Sequence, residues 1–107
     1  MRKIDKDMSA AVKERRYLKS GNTEVNVRLD MYGHEHIEVR LHGNMIWRWN
    51  KAEDMTEFTL AGWDTLTTRT RLRSLGVCIE RRGGNSYFNG IILDEDEWYE
   101  IRNGKLV

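Results

Sequence analysis

The sequence contains no proline, only one cysteine and no long apolar run. The single cysteine, Cys78, excludes an intramolecular disulfide and a zinc site built from several cysteines of one chain. A run of about 18 apolar residues, which a membrane-spanning helix needs, is absent. The N-terminal residues 1–7 are too highly charged to lead into the core of a signal peptide. These absences predict a soluble, cytoplasmic protein with no membrane partner.

An excess of charge of one sign is also missing, because 18 Lys+Arg oppose 17 Asp+Glu and leave a net charge of +1. The field of the whole protein therefore favours neither nucleic acid nor an anionic membrane. The charges are nevertheless grouped, with basic residues at 69–73 and 81–82 and acidic residues at 94–97. A basic contact surface remains available if those acidic residues do not fold back onto those arginines.

The chain of 107 residues with 39% hydrophobic residues is sufficient for one domain, spanning 1–107, with one modest core. Apolar residues at Ile4, Met8, Ala11 and Val12 predict an amphipathic N-terminal helix, and Gly21 is expected to close it. A short helix is expected at roughly 67–75, with Thr65 to Thr68 as candidate caps.

Alternating apolar residues, as in 25–29 and 37–41, predict strands on both sides of the short helix. The two helices are therefore expected to pack on a largely antiparallel sheet of about six strands, an α+β fold. An exposed edge of this sheet would allow a homodimer. Gly43-Asn44 is expected to form a two-residue turn, which pairs Arg40 with Trp47.

The first candidate site is a group of arginines and threonines at the start of the short helix: Arg69, Arg71, Arg73, Thr68 and Thr70. Helix N-termini offer free N–H groups to anions, and arginines there oppose the helix dipole, which favours an anionic partner. Three further arginines extend the basic surface: Arg48, Arg81 and Arg82. This pattern predicts contact with the phosphates of DNA or RNA. The alternative is a solvated helix face paired with the acidic residues 94–97.

The second candidate site is the aromatic and basic strand pair around Trp47 and Trp49. The expected turn places both tryptophans on the face of Arg40 and His42 and opposite Leu41. Such a face can stack unpaired bases or contact a protein partner. The alternative is that a helix or a second sheet covers the tryptophans as part of the core.

Metal and catalytic sites are not expected. His34, His36 and His42 share one face of a regular strand, but His42 lies about 20 Å from His36 at ~3.3 Å per residue. The acidic run 94–97 has no EF-hand spacing and no partner pattern of a metal-dependent nuclease, and no phosphate-binding Gly-Lys-Ser/Thr loop is present. We therefore expect neither enzyme activity nor a cofactor or metal.

Four segments together resemble a family of small proteins encoded by tailed bacteriophages, including podoviruses: residues 1–6, 20–23, 41–46 and 61–72. The resemblance covers roughly the first three quarters of the chain and, more loosely, residues 97–98. It implies expression in the cytoplasm of a bacterial host, and it implies no activity.

Two functions follow as hypotheses. The first is a non-enzymatic accessory protein that binds nucleic acid or regulates through the arginine-rich helix start. The alternative is an inhibitor of a host defence or nucleic-acid-processing protein, with Trp47, Trp49 and the acidic residues 94–97 as the contact patch.

Overall fold

The computed structural model of the protein describes residues 2–107. Its two helices are α1 (Lys3–Glu14) and α2 (Leu66–Ser74). Seven antiparallel strands form the larger sheet, in this spatial order: β1 (Leu18–Ser20), β2 (Thr23–Leu29), β3 (Glu35–Leu41), β4 (Asn44–Asn50), β5 (Met55–Phe58), β9 (Tyr99–Arg102) and β10 (Lys105–Leu106). The smaller sheet contains the remaining three: β6 (Ile79–Arg82), β7 (Asn85–Phe88) and β8 (Ile91–Ile92).

The α+β class, with two helices and a mostly antiparallel sheet, is confirmed. Where one sheet of about six strands was expected, residues 2–107 contain a sheet of seven strands and a second sheet of three. Two of them, β8 and β10, have only two residues. So short a segment shows no alternation of apolar and polar residues that a sequence pattern could reveal.

The core lies on one face of the larger sheet. Met8 of α1 and Leu72 of α2 are fully buried there, in one cluster with Val39 and Phe58 of the sheet. The ring of Phe58 lies 5.7 Å from that of Phe88, which brings the smaller sheet into the same cluster. The opposite face carries paired charges instead, among them Arg48 and Glu57 at 2.8 Å.

Helix α1 ends earlier than the sequence predicts. Arg15 adopts the left-handed conformation with φ of 54°, and the N–H of Arg16 donates to the carbonyl oxygen of Ala11 at 3.0 Å. Gly21 lies instead in the turn between β1 and β2. The prediction that Gly21 closes the helix is therefore wrong, because an arginine takes the left-handed position that glycine usually fills.

The β3–β4 hairpin reverses the predicted orientation of two tryptophans. Its turn residues are His42 and Gly43, with φ of 52° and 79°, rather than Gly43 and Asn44. A bulge then leaves Val39 opposite Trp47 and Arg40 opposite Met45. A shift of one residue moves side chains to the other face of a sheet. Trp47 and Trp49 therefore lie on the core face, and the predicted pairing of Trp47 with Arg40 is wrong.

The β2–β3 turn is organised by the carboxylate of Asp30. Its Oδ2 is hydrogen-bonded to His36 Nε2 at 2.9 Å, and its Oδ1 accepts from the N–H groups of Tyr32 and His34. The hydrogen bond from His36, followed by that from the His34 backbone, lowers the pKa of Asp30 from 3.8 to about 2. The turn therefore favours the ionised carboxylate.

This shift predicts how the turn responds to acid. Because the pKa of Asp30 is lower in the folded than in the unfolded chain, its stabilisation is complete above pH 3.8 and is lost as the pH falls through about 2. We expect Asp30→Asn to unfold at lower urea concentration than the wild type at pH 6, with the two midpoints converging near pH 2. A midpoint difference that stays constant across this range would contradict the assignment.

The sheets end in short edge strands. In the larger sheet these are β1 and β10, and in the smaller sheet β8 exposes Ile91 and Ile92 by half or more. A homodimer formed through one of these edges stays a prediction.

No helix within residues 2–107 combines the length and apolar character needed to cross a membrane.

Candidate functional site

The side chains of the three arginines of α2 lie in different environments. Arg69 and Arg71 are separated by about 200° around the helix axis. Arg71 is only 6% exposed, and its Nη1 donates to Asp5 Oδ1 at 2.7 Å while its Nε donates to Thr23 Oγ1 at 3.1 Å. It therefore ties α2 to α1 and to β2. The predicted contact between Arg71 and an external phosphate is incompatible with this buried position.

Asp64, just before α2, holds two more of the predicted residues. Arg69 and Arg81 both pair with its carboxylate, and Ser86 Oγ donates to it. Burial acts to raise the pKa of Asp64, but the hydrogen bond from Ser86 and the charges of Arg69 and Arg81 hold this pKa below its usual range. The carboxylate therefore joins α2 to the smaller sheet.

The threonines at the start of α2 form local hydrogen bonds. Thr65, one of the predicted caps, accepts from the N–H of Thr68 at 3.1 Å. Thr68 is buried, and its hydroxyl donates to the carbonyl oxygen of Trp63. The hydroxyl of Thr70 donates to the carbonyl oxygen of Leu66 at 2.8 Å. Both hydroxyls therefore donate to backbone carbonyl groups of the protein itself, and Thr68 takes part in the cap of the helix.

Four arginines lie on α2 and on β6, an edge strand of the smaller sheet that packs against α2, and we call this border the arginine edge: Arg69, Arg73, Arg81 and Arg82. Arg73 is exposed, and its Nε donates to the carbonyl oxygen of Ile79 at 2.8 Å. Arg82 lies over the ring of Tyr87 at 4.9 Å, with its side chain 65% exposed. Asp64 can neutralise only one of the two arginines that share it, and Glu80, 3.8 Å from Arg82, can neutralise one more of the four. The arginine edge is therefore a net positive surface.

The second predicted site is divided between the two faces of the larger sheet. Trp47 is 7% exposed in the core, and Trp49 is half-buried, with Arg15 5.3 Å above its ring. Arg48 lies on the opposite face, 4.0 Å from the ring centre of Trp98. The aromatic and basic residues that were expected on one face are therefore not brought together, because the hairpin register separates them.

The predicted histidine set is likewise divided. His34 and His36 both lie beside Asp30, while His42 lies in the β3–β4 turn. Within residues 2–107, no group of three His, Cys, Asp or Glu side chains is arranged to hold a metal ion.

An exposed aromatic surface, absent from the sequence prediction, lies at the start of α2. Trp63 is 58% exposed, and its ring stacks on that of His42 at 5.9 Å with an interplanar angle of 30°. The two rings border a small groove of about 150 Å³, also lined by Leu41, Ile46 and Leu60. We call this the Trp63 groove. Leu66, the first residue of α2, is 59% exposed but is not among the residues that line this groove.

The backbone before Trp63 explains why this side chain lies outside the core. Ala61 and Gly62 both have positive φ, 56° and 72°, which turns the chain sharply after β5. A Cβ at Gly62 would lie 2.9 Å from Asp96 Oδ1, so a larger residue there would displace the Asp96 side chain as well as strain a backbone with φ of 72°. In the sequence, the segment Ala61-Gly62-Trp63 indicates this turn only through Gly62, because glycine commonly adopts positive φ whereas alanine does not.

The acidic loop, residues 94–97, packs beside this groove rather than on the arginine edge. The N–H of Gly62 donates to the carbonyl oxygen of Glu95 at 2.7 Å. All four acidic side chains are exposed, and none forms a salt bridge with another residue of 2–107. The Trp63 groove therefore has a negative border, and the arginine edge keeps its positive charge.

Comparison with known protein families gives one match. The family described as Kyanoviridae Gp96 protein, a phage family, matches residues 1–104. The chain belongs to this family. The predicted resemblance to phage proteins is thereby confirmed, whereas the podovirus type and the particular sequence pattern stay predictions. No curated protein and no solved structure matches the chain.

Two segments that carried the resemblance meet in this fold. The turn segment 41–46 and the segment 61–72 line opposite sides of the Trp63 groove. They are separated along the chain by most of β4 and by β5. The groove therefore depends on the tertiary arrangement of the β3–β4 turn and the start of α2.

Proposed function

We propose that this phage protein is a non-enzymatic accessory protein that binds a host protein through the Trp63 groove. The observation that supports the proposal is the 58% exposure of Trp63, a large apolar side chain that lines an apolar groove. Tryptophan is enriched among the few residues that dominate binding energy at protein interfaces. Contiguous exposed apolar surface on a small protein is a mark of an interaction site.

The acidic loop indicates the chemistry of the partner. The loop packs against Gly62 beside the groove, and its four exposed carboxylates form no salt bridge within residues 2–107, so they attract a basic surface and repel phosphates. Proteins that handle nucleic acid carry such basic surfaces. We therefore propose that the partner is a host defence or nucleic-acid-processing protein. Covering its basic surface would block nucleic acid, which makes the action inhibitory.

In the test, the intact protein is immobilised on a support and incubated with a lysate of the host bacterium. The retained protein is identified by mass spectrometry, purified, and titrated in a calorimeter. We expect a basic nucleic-acid-binding protein whose complex weakens as salt is raised and which nucleic acid displaces competitively. Simultaneous binding of nucleic acid and the phage protein, with no competition, would refute the inhibitory action.

A second function, direct binding of nucleic acid, is supported by the arginine edge. Arg73, Arg81 and Arg82 are exposed residues, and the acidic loop packs elsewhere. Arg48 is not part of this surface because it lies over Trp98 on the open face of the larger sheet. In this proposal, three of the predicted arginines contact phosphates, whereas Arg71 and Thr68 stabilise the fold.

The arginine edge gives a measurable salt dependence. We expect the triple variant Arg73→Ala/Arg81→Ala/Arg82→Ala to bind DNA or RNA more weakly, with a flatter slope of log affinity against log salt, by about 0.9 for each lost phosphate contact on duplex DNA. A matched variant, Lys13→Ala/Arg16→Ala/Lys19→Ala, removes three exposed cations elsewhere and should change the slope less. Equal slopes for both variants, or no wild-type binding at low salt, would contradict this function.

A further inference from the structure

Two hairpin turns of this fold carry the dipeptide Asn-Gly: Asn89-Gly90 between β7 and β8, and Asn103-Gly104 between β9 and β10. All four residues have positive φ, 50° and 80° in the first turn and 51° and 75° in the second. Positive φ at both turn residues is typical of the tight hairpin turns that favour Asn-Gly. All four residues are also exposed. The two turns are therefore alike in sequence, in backbone conformation and in access to water.

Both hairpins are held by few backbone hydrogen bonds. β8 and β10 each have two residues, and each lies at an edge of its sheet. One further hydrogen bond extends each hairpin, from the N–H of Leu93 to the carbonyl oxygen of Ser86 at 2.9 Å and from the N–H of Val107 to that of Glu100 at 3.0 Å. Hairpins this short open locally at a small cost in free energy. Opening lets the backbone nitrogen of each turn glycine, which has no Cβ to hinder it, reach the side chain of the preceding asparagine.

One contact distinguishes the two turns. Asn89 Nδ2 donates to the carbonyl oxygen of Gly104 at 3.1 Å, so the side chain of the first turn is fixed on the backbone of the second. The side chain of Asn103 forms no hydrogen bond with another residue of 2–107. The contact therefore restrains the amide of Asn89 and leaves the amide of Asn103 free to rotate.

We propose that Asn103 is a site of spontaneous deamidation and that the contact with Gly104 protects Asn89 from the same reaction. The backbone nitrogen of Gly104 attacks Cγ of Asn103. The N–Cγ bond forms, the Cγ–Nδ2 bond breaks, and Nδ2 leaves as ammonia with the proton of the Gly104 N–H. Water then opens the resulting succinimide at one of its two carbonyl groups, which gives aspartate or isoaspartate at position 103. The inference does not rest on the proposed function of the Trp63 groove.

The reaction at Asn103 also changes the environment of Asn89. Isoaspartate adds a carboxylate and lengthens the backbone of the β9–β10 turn by one methylene, which moves the carbonyl oxygen of Gly104 away from Asn89 Nδ2. Because a hydrogen bond weakens steeply with misalignment, Asn89 then loses its protection. The two reactions are therefore ordered, with Asn103 first and Asn89 second. The hydrogen bond that joins the two sheets at these turns is lost with the first reaction.

The test follows both sites in the full chain at mildly alkaline pH. Cleavage after glutamate gives the fragments 81–95 and 101–107, and tandem mass spectrometry measures the conversion of amide to acid at each asparagine. We expect Asn103 to convert about twofold to tenfold faster than Asn89 in the folded protein, the factor that one hydrogen bond supplies. In guanidinium chloride, where the contact is absent, the two rates should be similar. Enzymatic methylation of isoaspartate detects the succinimide route.

A variant tests the order of the two reactions. Asn103→Gly blocks the first reaction and places a residue suited to positive φ in the turn. Wild-type protein converted only at Asn103, isolated by ion exchange, should react at Asn89 about twofold to tenfold faster than Asn103→Gly does. Equal rates at Asn89 in these two proteins would overturn the protective role of the contact. The deamidation site itself would be overturned if Asn103 reacted no faster than Asn89 in the folded wild type, or if its product contained no isoaspartate.

Discussion

Replacement of Arg71 by alanine is expected to lower the free energy of unfolding by about 3–5 kcal/mol, the cost of leaving a buried charge unpaired. Asp5 is 1% exposed; its Oδ1 accepts from Arg71, and its Oδ2 has no hydrogen-bond partner within residues 2–107. Without Arg71, this carboxylate would remain desolvated between the helices. A loss of that size is a large part of the 5–15 kcal/mol that usually stabilises a domain.

Urea unfolding followed by tryptophan fluorescence measures this effect. Arg82→Ala is the matched control, because its side chain is 65% exposed, and we expect it to change stability by less than about 0.5 kcal/mol. The double variant Asp5→Leu/Arg71→Met removes both charges and should recover much of the loss, which keeps the test informative if Arg71→Ala does not fold. A loss below about 1 kcal/mol for Arg71→Ala would contradict the conclusion that Arg71 and Asp5 form a buried pair in which removal of one charge leaves the other uncompensated.

Replacement of Trp63 by alanine is expected to weaken binding of the host partner by about 2–4 kcal/mol, the usual range for a central interface residue. This corresponds to roughly a 30-fold to 1,000-fold increase in Kd. The stability of the free protein should change little, because Trp63 is mostly exposed and its described aromatic contact is the stack on His42.

Calorimetric titration of the purified partner, with urea unfolding of each variant alongside, separates binding from folding. Tyr32→Ala is the matched control, since Tyr32 is an exposed aromatic residue, 77% accessible, in the β2–β3 turn. We expect this control to bind like the wild type. If Trp63→Ala also keeps wild-type affinity while the partner is bound, the Trp63 groove is not the contact surface.

These two positions differ in what the sequence could reveal about them. Arg71 belongs to an alternating Arg-Thr run whose composition indicates an anion-binding helix start, and its actual partner, Asp5, is 66 residues away along the chain. Nothing local identifies such a pair. Trp63 stands after a glycine at a strand end, but its exposure depends on the left-handed backbone of Ala61 and on the acidic loop that packs against Gly62.

The sequence by itself determined the α+β class, the cap at Thr65 and the segregation of basic and acidic residues. These properties follow from periodicity, capping chemistry and composition, which are local. The tertiary structure alone decided that Trp47 lies in the core, because one turn residue and one bulge set the register of the β3–β4 hairpin. It also decided that Arg71 is buried and that the acidic loop packs beside Gly62, because long-range packing, unlike periodicity, determines which charges meet.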